Sequence, residues 1–237
     1  MLLLLLLSPP VSASAQTLVI GFGTHKPPYV FEQEHRGLEV EIVIAALEQA
    51  GLQVEPYYSP LERMHMMLER QELDGITVTS EASGVSAHYS DVYITYQNVA
   101  VTLKALNIRL SRISDLSQYS VSAFQRARLL LGDEFRSMAL NNPLYREEAR
   151  QVTRNLLLYA GRIDVMIGDR RIIRAFTDEV ADRVDTTQEI EIHPLFEPTA
   201  YRMGFVDADL RDRFNSGLQQ IRENGRYQEI EARYAAY

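Results

Sequence analysis

The stretch Thr17-Leu-Val-Ile-Gly21 is an apolar, partly β-branched run that ends at a glycine. This pattern predicts a buried strand, the first element of the fold. Helix-like and strand-like patterns then alternate. The predicted elements are a helix at Leu38 to Ala50, a strand at Gln53 to Tyr58, a helix at Leu61 to Arg70 and a strand at Leu73 to Thr79. Parallel strands need crossover connections, so this order predicts an α/β fold with a parallel sheet covered by helices.

The second half of the chain repeats this order more loosely. Strands are predicted at Val121 to Phe124 and Val165 to Ile167, and helices at Leu129 to Leu140, Asn155 to Ala160, Arg170 to Phe176, Asp209 to Asn224 and Arg226 to Tyr234. Asp209 is the predicted N-cap of the first C-terminal helix, and Gly225 is its predicted C-cap. No low-complexity linker separates the halves. We therefore expect two lobes that face each other across a cleft, where the carboxyl ends of the strands meet.

The N-terminus has the pattern of a secretory signal peptide. Leu2 to Leu7 form a short apolar run, and Ala13-Ser14-Ala15 places small residues at the positions before a cleavage site. The run is too short to span a bilayer, which needs about 20 apolar residues. We predict a signal peptide at residues 1–15, cleavage after Ala15 and a periplasmic mature chain.

Composition and motif content disfavour several classes of function. The formal net charge of -8 over 237 residues argues against nucleic-acid and anionic-lipid partners, which are bound through Lys and Arg. The chain has no cysteine, and its five histidines lack metal-ligand spacing, so neither a disulfide framework nor a metal site is predicted. It contains no phosphate-binding loop, complete dinucleotide fingerprint or nucleophile elbow, and we expect no cofactor.

Five segments in a fixed order carry a family resemblance. They are Leu18-Val-Ile-Gly-Phe-Gly23 with Pro27-Pro28-Tyr29, Arg36-Gly-Leu-Glu-Val-Glu-Ile42, Leu68 to Gly75, Ala160-Gly-Arg-Ile-Asp-Val-Met-Ile-Gly-Asp169, and Phe214 to Tyr234. In this order the segments resemble the polar amino-acid class, family 3, of bacterial extracellular solute-binding proteins, which serve ABC transporters. The resemblance covers essentially everything after Ala15.

The resemblance implies a two-lobed periplasmic-binding-protein (Venus-flytrap) fold, with a mostly parallel sheet and flanking helices in each lobe and two hinge strands. Residues 16–103 and 200–237 would form lobe 1, and residues 104–199 would form lobe 2. The crossings between the lobes are expected near Val101–Ala105 and Thr199–Gly204.

The resemblance also implies a function. A monomer would close around a small polar ligand, an amino acid or related compound, and deliver it to an inner-membrane ABC permease rather than act as an enzyme. Two alternatives stay open. One is a ligand-sensing module for a membrane receptor, and the other is a dehydratase-type enzyme with Glu81 or Glu32 as its general acid.

Asp169 is the first candidate ligand-binding residue. In the family, the Asp that ends this strand pairs with the ligand's α-ammonium, so the resemblance implies the same role here. An ammonium that leaves water needs a charged acceptor, which a carboxylate supplies. The alternative is that Asp169 caps the helix predicted at Arg170 to Phe176, and both roles can hold together.

The partner for a ligand carboxylate is where the sequence departs from the family. The family uses an Arg in a Thr-x-Glu-Arg loop after the third strand, but the matching position here falls on or near Ser83, with no Arg nearby. The family's Gly-Thr-Thr turn is replaced by Phe124-Gln-Arg-Ala-Arg128. Substitute candidates are Gln125, Arg126 and Arg128, at the start of a helix where backbone N–H groups favour anions, and Arg63. Alternatively, these arginines are solvated surface charges, or the ligand is not an α-amino acid.

Four further candidates follow from position in the chain. Thr79, Ser80 and Glu81 come directly after the third strand, at the expected cleft edge, where hydroxyl and backbone groups can orient a polar ligand. Glu81 would recognise a cationic group, or else it is simply exposed. Tyr29 lies in the Pro-Pro-Tyr loop, where its ring would cover the ligand or pack against the loop.

Overall fold

The computed structural model describes residues 16–237, so the predicted signal peptide at residues 1–15 lies outside the described residues. In this part of the chain, the strands are β1 (Thr17–Phe22), β2 (Gln53–Tyr58), β3 (Gly75–Thr79), β4 (His88–Tyr89), β5 (Ile94–Tyr96), β6 (Asn98–Leu103), β7 (Val121–Phe124), β8 (Tyr145–Glu148), β9 (Val165–Asp169), β10 (Ile190–His193) and β11 (Thr199–Phe205). The helices are α1 (Leu38–Gln49), α2 (Leu61–Glu69), α3 (Ala127–Leu130), α4 (Asp133–Asn141), α5 (Gln151–Tyr159), α6 (Arg170–Glu179), α7 (Ala208–Glu223) and α8 (Arg226–Arg233).

The first sheet has the strand order β2-β1-β3-β11-β4, and β5 pairs with β11 beside this path. β1 is parallel to both β2 and β3, which confirms the parallel pairing predicted from the alternation of strands and helices. β11 runs antiparallel to β3, β4 and β5. The C-terminal part of the chain therefore returns to the sheet in which the described chain begins.

The second sheet has the strand order β10-β6-β9-β7-β8. β7 is parallel to β8 and β9, whereas β6 is antiparallel to both β9 and β10. Each sheet thus joins three parallel strands to antiparallel ones. The two-lobed α/β class is confirmed, and the antiparallel strands qualify the expectation of mostly parallel sheets, because the chain enters and leaves each lobe without a helical crossover.

The chain passes between the two sheets twice. β5 ends in the first sheet at Tyr96 and β6 begins in the second at Asn98, so the first passage is at Gln97. This passage precedes the crossing expected near Val101–Ala105, because β6 already pairs with β9 of the second sheet. The return passage lies between β10 and β11, directly before the expected crossing.

Two predictions about the helices are wrong: one concerns where a helix is interrupted, and the other concerns which residue caps a helix. The helix predicted at Leu129 to Leu140 is divided into α3 and α4, because Gly132 adopts a positive φ of 90° between them. The N-cap of α7 is Asp207 and not Asp209, since the Asp207 carboxylate accepts from the N–H of Asp209 at 2.6 Å. Gly225 has the left-handed conformation, with φ of 84°, that suits the end of α7.

The core of the first lobe depends on a close approach of α1 and α7. Buried side chains of α7, such as Phe214 and Leu218, join those of α1 and the sheet in one apolar cluster. Gly217 lies against α1 so closely that a Cβ there would be 1.9 Å from the carbonyl oxygen of Ala46. The contact between the two helices therefore requires a residue without a side chain at position 217.

Gly217→Ala is expected to destabilise the protein, although alanine is the better helix former. In an exposed helix the substitution would stabilise by roughly 0.5–1 kcal/mol. Here the added methyl group overlaps the backbone of α1, and overpacking of this kind costs about 1–3 kcal/mol. Urea unfolding measures the difference. Ser216→Ala, on the exposed face of the same helix, is the control and should change stability little. An unchanged or raised midpoint for Gly217→Ala would contradict the packing.

Candidate functional site

A cavity lies between the two lobes, beyond the carboxyl ends of β1, β3, β7 and β9. About 600 Å³ of space at this position is free of protein atoms, a volume that includes open solvent. Both lobes line it: Gly23, Thr24, Lys26, Pro60, Leu61, Met64, Val78, Tyr96 and Tyr201 from the first, and Asn98, Phe124, Gln125, Ala149, Gln151, Asp169 and Ile172 from the second. This is the position at which α/β topology places a ligand.

Asp169 ends β9 and lies in the cavity wall, where it is 2% exposed. Its Oδ1 accepts hydrogen bonds from the backbone N–H groups of Arg171 at 2.9 Å and Ile172 at 3.2 Å, and so caps α6. Its Oδ2 accepts from the N–H of Gln97 at 2.9 Å. Burial raises the pKa of this carboxyl, against the lowering effect of the three N–H donors. The capping role is therefore present, and the same carboxylate borders the cavity.

A buried ion pair forms part of the wall on the first lobe. Lys26, in the loop after β1, is 5% exposed, and its Nζ donates to Glu39 Oε2 at 2.6 Å and to the Tyr96 hydroxyl at 3.1 Å. The Tyr96 hydroxyl donates in turn to Glu39 Oε2 at 2.6 Å. Burial raises the pKa of Tyr96 well above its ordinary value, so the hydroxyl keeps its proton. Lys26 thus brings an N–H donor to the cavity, while Glu39 neutralises its charge.

Tyr29, predicted to cover the ligand, does not line the cavity. It is 2% exposed, and its ring stacks on that of Tyr96 with the centroids 4.0 Å apart. Burial raises the pKa of the Tyr29 hydroxyl, with a further contribution from the nearby Asp169 carboxylate. Tyr29 therefore packs behind Tyr96, the aromatic ring that does reach the cavity.

Gln125 and Arg126 join the two lobes beside the cavity. Arg126 Nη1 lies 2.8 Å from the Glu62 carboxylate, and Nη2 donates to the carbonyl of Ser83, both in the first lobe. Gln125 lines the cavity, and its Oε1 accepts from the N–H of Glu62 at 3.0 Å. Arg126, the first candidate for a carboxylate anchor, is thus engaged by groups of the protein itself.

The helix start proposed as an anion site is also occupied by the protein. The backbone N–H groups of Arg126 and Arg128 donate to the two oxygens of Glu147 at 2.8 and 3.1 Å. The Arg128 guanidinium lies 3.7 Å from the same carboxylate. Glu147 belongs to β8, which the sequence did not predict. The carboxylate that meets these N–H groups therefore comes from the neighbouring strand.

The residues predicted at the end of β3 lie outside the cavity wall. Thr79 and Ser83 are buried and bonded to each other, with Thr79 Oγ1 donating to Ser83 Oγ at 3.0 Å. The intervening Glu81 is exposed and lies 3.6 Å from the Arg202 guanidinium. Ser80 is half-buried and also does not reach the wall. The hydroxyl groups of Thr79 and Ser83 thus bond within the loop, and Val78 is the residue of β3 that lines the cavity.

Arg63 and Glu32 are not brought to the site either. Arg63 is exposed on α2, the helix whose Leu61 and Met64 face the cavity. Glu32 accepts a hydrogen bond from the N–H of His25 at 3.2 Å. Neither Glu32 nor Glu81, the two candidate general acids, lines the cavity.

Sequence reasoning missed several wall residues, above all Lys26, Asn98 and Gln151. Lysine is rarely buried unless it is paired, so the sequence predicts that Lys26 is an exposed residue of a loop. One signal was available: Glu39 is flanked by Leu38 and Val40 in the mostly apolar sequence of α1, and a carboxylate buried there requires a nearby cation.

Together, the fold and the cavity define a class: a two-lobed α/β protein with a cleft suited to a small molecule. Within residues 16–237, no group of three or more His, Asp or Glu side chains is arranged to hold a metal ion. The same part of the chain contains no helix long and apolar enough to span a bilayer.

Comparison with known proteins gives the family. The sequence model of the bacterial extracellular solute-binding proteins, family 3, matches residues 18–237. The chain belongs to this family, as the resemblance of its five segments indicated. No curated protein sequence matches the chain.

Solved structures share the fold at low sequence identity. An ancestral arginine-binding protein bound to glutamine is 18% identical, with a TM-score of 0.75 over 94% of this chain and 99% of that one. A histidine kinase sensor domain similar to periplasmic binding proteins is 18% identical, with a TM-score of 0.78 over 93% and 96%. An ABC uptake transporter substrate-binding protein from Streptococcus pneumoniae with bound histidine is 19% identical, with a TM-score of 0.73 over 93% of each chain.

His65 is expected to make the protein sensitive to acid. This residue of α2 is 2% exposed, and its two ring nitrogens have no hydrogen-bond partner among the described residues. Burial, reinforced by the positive charge of Arg126, lowers its pKa to about 3. Because the unfolded chain binds a proton near pH 6.5 and the folded chain does not, the stability from neutral His65 is complete above pH 6.5 and is lost as the pH falls towards 3.

The measurement is the free energy of unfolding at pH 7 and at pH 5, in wild type and in His65→Leu. Wild type should lose about 2 kcal/mol more than the variant between these two pH values. His88→Leu, which removes an exposed histidine, is the control and should keep the wild-type dependence. Parallel pH profiles for wild type and His65→Leu would show that His65 does not titrate in this way.

Proposed function

We propose that this chain is a periplasmic solute-binding protein that closes its two lobes around a small zwitterionic ligand, an amino acid or close relative, and delivers it to an inner-membrane ABC permease. The observation that carries the proposal is the cavity between the lobes, which residues of both sheets line and in which the Asp169 carboxylate is buried. A cavity formed by two lobes binds its ligand with closure of the cleft, which is what a capture protein requires.

Asp169 is proposed to bind the ammonium group of the ligand. A carboxylate has about four lone-pair positions, and the backbone N–H groups of Gln97, Arg171 and Ile172 use three of them. The Tyr29 hydroxyl also interacts with this carboxylate, and because Asp169 lines the cavity, we propose that the ammonium approaches it from the cavity side. Because burial disfavours the charged carboxylate, an ammonium at this position would restore the interactions that the charge lost on leaving water.

The connections between the lobes are consistent with hinge closure. Two short passages join the lobes, and contacts such as Arg126 to Glu62 and His25 to Glu179, at 2.8 and 3.4 Å, connect them beside the cavity. We propose that these contacts form when the cleft closes, that the lobes follow the predicted boundaries with the first crossing moved to Gln97, and that the protein acts as a monomeric receptor without catalytic activity.

The proposal predicts ligand-dependent stabilisation of the chain that starts at Gln16. Protein stripped of ligand by unfolding and refolding would be scanned against the amino acids, amines and small organic acids. A ligand that binds only the folded state stabilises it by about 2.7 kcal/mol at 100 times Kd, which raises the midpoint by several degrees. A rise with one class of amino acid is the expected result. No rise with any amino acid would show that the proposed ligand class is wrong.

Asp169→Asn tests the ammonium contact separately. Asparagine retains an oxygen that can cap α6 but carries no charge, so the variant should fold with a modest loss of stability and lose most of its ligand-induced shift. Asp169→Ala removes the cap as well and should cost about 1 kcal/mol without ligand. The matched ligand control is the hydroxy acid that lacks the amino group, which should bind wild type and Asp169→Asn alike. An Asp169→Asn variant that keeps the full shift would refute the ammonium role.

Delivery to a permease makes a prediction in cells. Deletion of the gene from its host should lower uptake of the radiolabelled ligand, wild type should restore uptake, and Asp169→Asn should not. Unchanged uptake after deletion, with binding intact in solution, would contradict the transport role and favour a sensing role.

A further inference from the structure

Arg154, on α5, is a buried guanidinium with too few hydrogen-bond partners. It is 1% exposed, and it is among the largest fully buried side chains of the described chain. Nη2 donates to Gln151 Oε1, but Nε and Nη1 have no acceptor within residues 16–237. A buried donor without an acceptor costs free energy, and the cost is greater for a charged group. Such a group in a folded protein requires an explanation.

The guanidinium lies directly behind the cavity wall of the second lobe. Its partner Gln151 lines the cavity, and its central carbon is 5.9 Å from the ring centroid of Phe124, another wall residue. A Cβ at Gly168, next to Asp169, would lie only 3.3 Å from Arg154 Nη2. Two residues of the cavity wall, Gln151 and Phe124, thus lie next to the guanidinium.

Arg154 remains charged under ordinary conditions. Burial lowers its pKa to about 10, and the nearby Glu148 and Asp169 carboxylates oppose that shift without hydrogen-bonding to the guanidinium. Two other cations beside the cavity are neutralised by carboxylates of the protein. Lys26 pairs with Glu39, and Arg126 pairs with Glu62. Arg154 forms no ion pair within residues 16–237, and two of its nitrogens have no acceptor there, so its guanidinium is the group available to a ligand anion.

We propose that Arg154 is the anion-recognition residue of the cavity, and that it takes the carboxylate of the ligand when the Gln151 side chain moves aside. This inference rests on the proposed function and narrows its ligand class. With the ammonium on Asp169 and the carboxylate on Arg154, the second lobe holds both polar groups of an α-amino acid. The ligand side chain then points to the first lobe, where Pro60, Leu61, Met64 and Val78 offer an apolar surface. The ligand is an α-amino acid with an uncharged, largely apolar side chain.

The test compares L-leucine and L-methionine with their α-amides, in wild type, Arg154→Met and Arg154→Lys. Wild type should bind each acid roughly 100-fold more tightly than its amide, since truncating or neutralising one partner of a buried charge pair has effects of this size. In Arg154→Met the acid should lose this advantage, while the amide affinity stays the same. Arg154→Lys should recover part of the preference, because lysine keeps the charge but not the planar donors.

A second readout does not depend on any ligand. Methionine is a good helix former of similar length, and it replaces a buried charge that lacks acceptors, so Arg154→Met should unfold at the wild-type temperature or above it. A clear fall in the midpoint, with the acid-to-amide ratio unchanged, would show that Arg154 has a structural role and would overturn the inference.

The competing anchor is Lys26. The paired substitution Lys26→Gln with Glu39→Gln removes both charges of that ion pair together and leaves hydrogen-bonding groups in place. It should keep the acid-to-amide preference. If this variant loses the preference and Arg154→Met keeps it, Lys26 is the anchor and the inference is wrong.

Failure of the proposed function gives a different pattern. If no amino acid stabilises wild type, acetate and propionate serve as probes of the anion site alone. Stabilisation of wild type but not of Arg154→Met by these acids would support Arg154 although the ligand class is wrong. Equal responses of the two proteins would overturn the role of Arg154.

Discussion

The carboxylate of Asp169 connects three parts of the molecule on which the cleft depends. One oxygen caps α6, the other holds the N–H of Gln97 at the passage between the sheets, and the residue borders the cavity. Arg170 also donates its N–H to the carbonyl of Gln97 at 3.0 Å, so the passage is bonded on both sides to the start of α6. A ligand group bound to Asp169, as proposed, would therefore contact the carboxylate that also holds the segment joining the lobes.

Charge neutralisation inside the protein gives the cleft its chemical character. Glu39 neutralises Lys26, Glu62 engages Arg126, and Glu147 takes the N–H groups at the start of α3. Isolated charges are costly to bury, and pairing offsets much of that cost. The Asp169 carboxylate, held by backbone N–H groups, and the Arg154 guanidinium, bonded to the Gln151 side chain, form no ion pair within residues 16–237. The two groups belong to neighbouring elements, β9 and α5, and their opposite signs match the two ends of a zwitterion.

Sequence patterns predicted secondary-structure elements correctly where the element depends on residues that are close together in the chain. β7, β9 and the C-terminal helices follow from periodicity and from glycines such as Gly225, and Asp169 follows from its place at a strand end. β8 was missed because three of its four residues are charged and give no apolar alternation. Arg154 was missed because arginine on a helix is normally exposed, although it lies four residues before the buried Leu158 and shares its face.

The alternation of strands and helices, the family and the carboxylate at the end of β9 could all be predicted from the sequence, because each depends on residues close together in the chain. Which charges meet at the cleft depends instead on the packing of distant segments. Lys26 and Glu39 are 13 residues apart, and Glu62 and Arg126 are 64 apart. Pairs at such separations form only when helices and lobes pack against each other, so no local pattern shows which cations the protein neutralises.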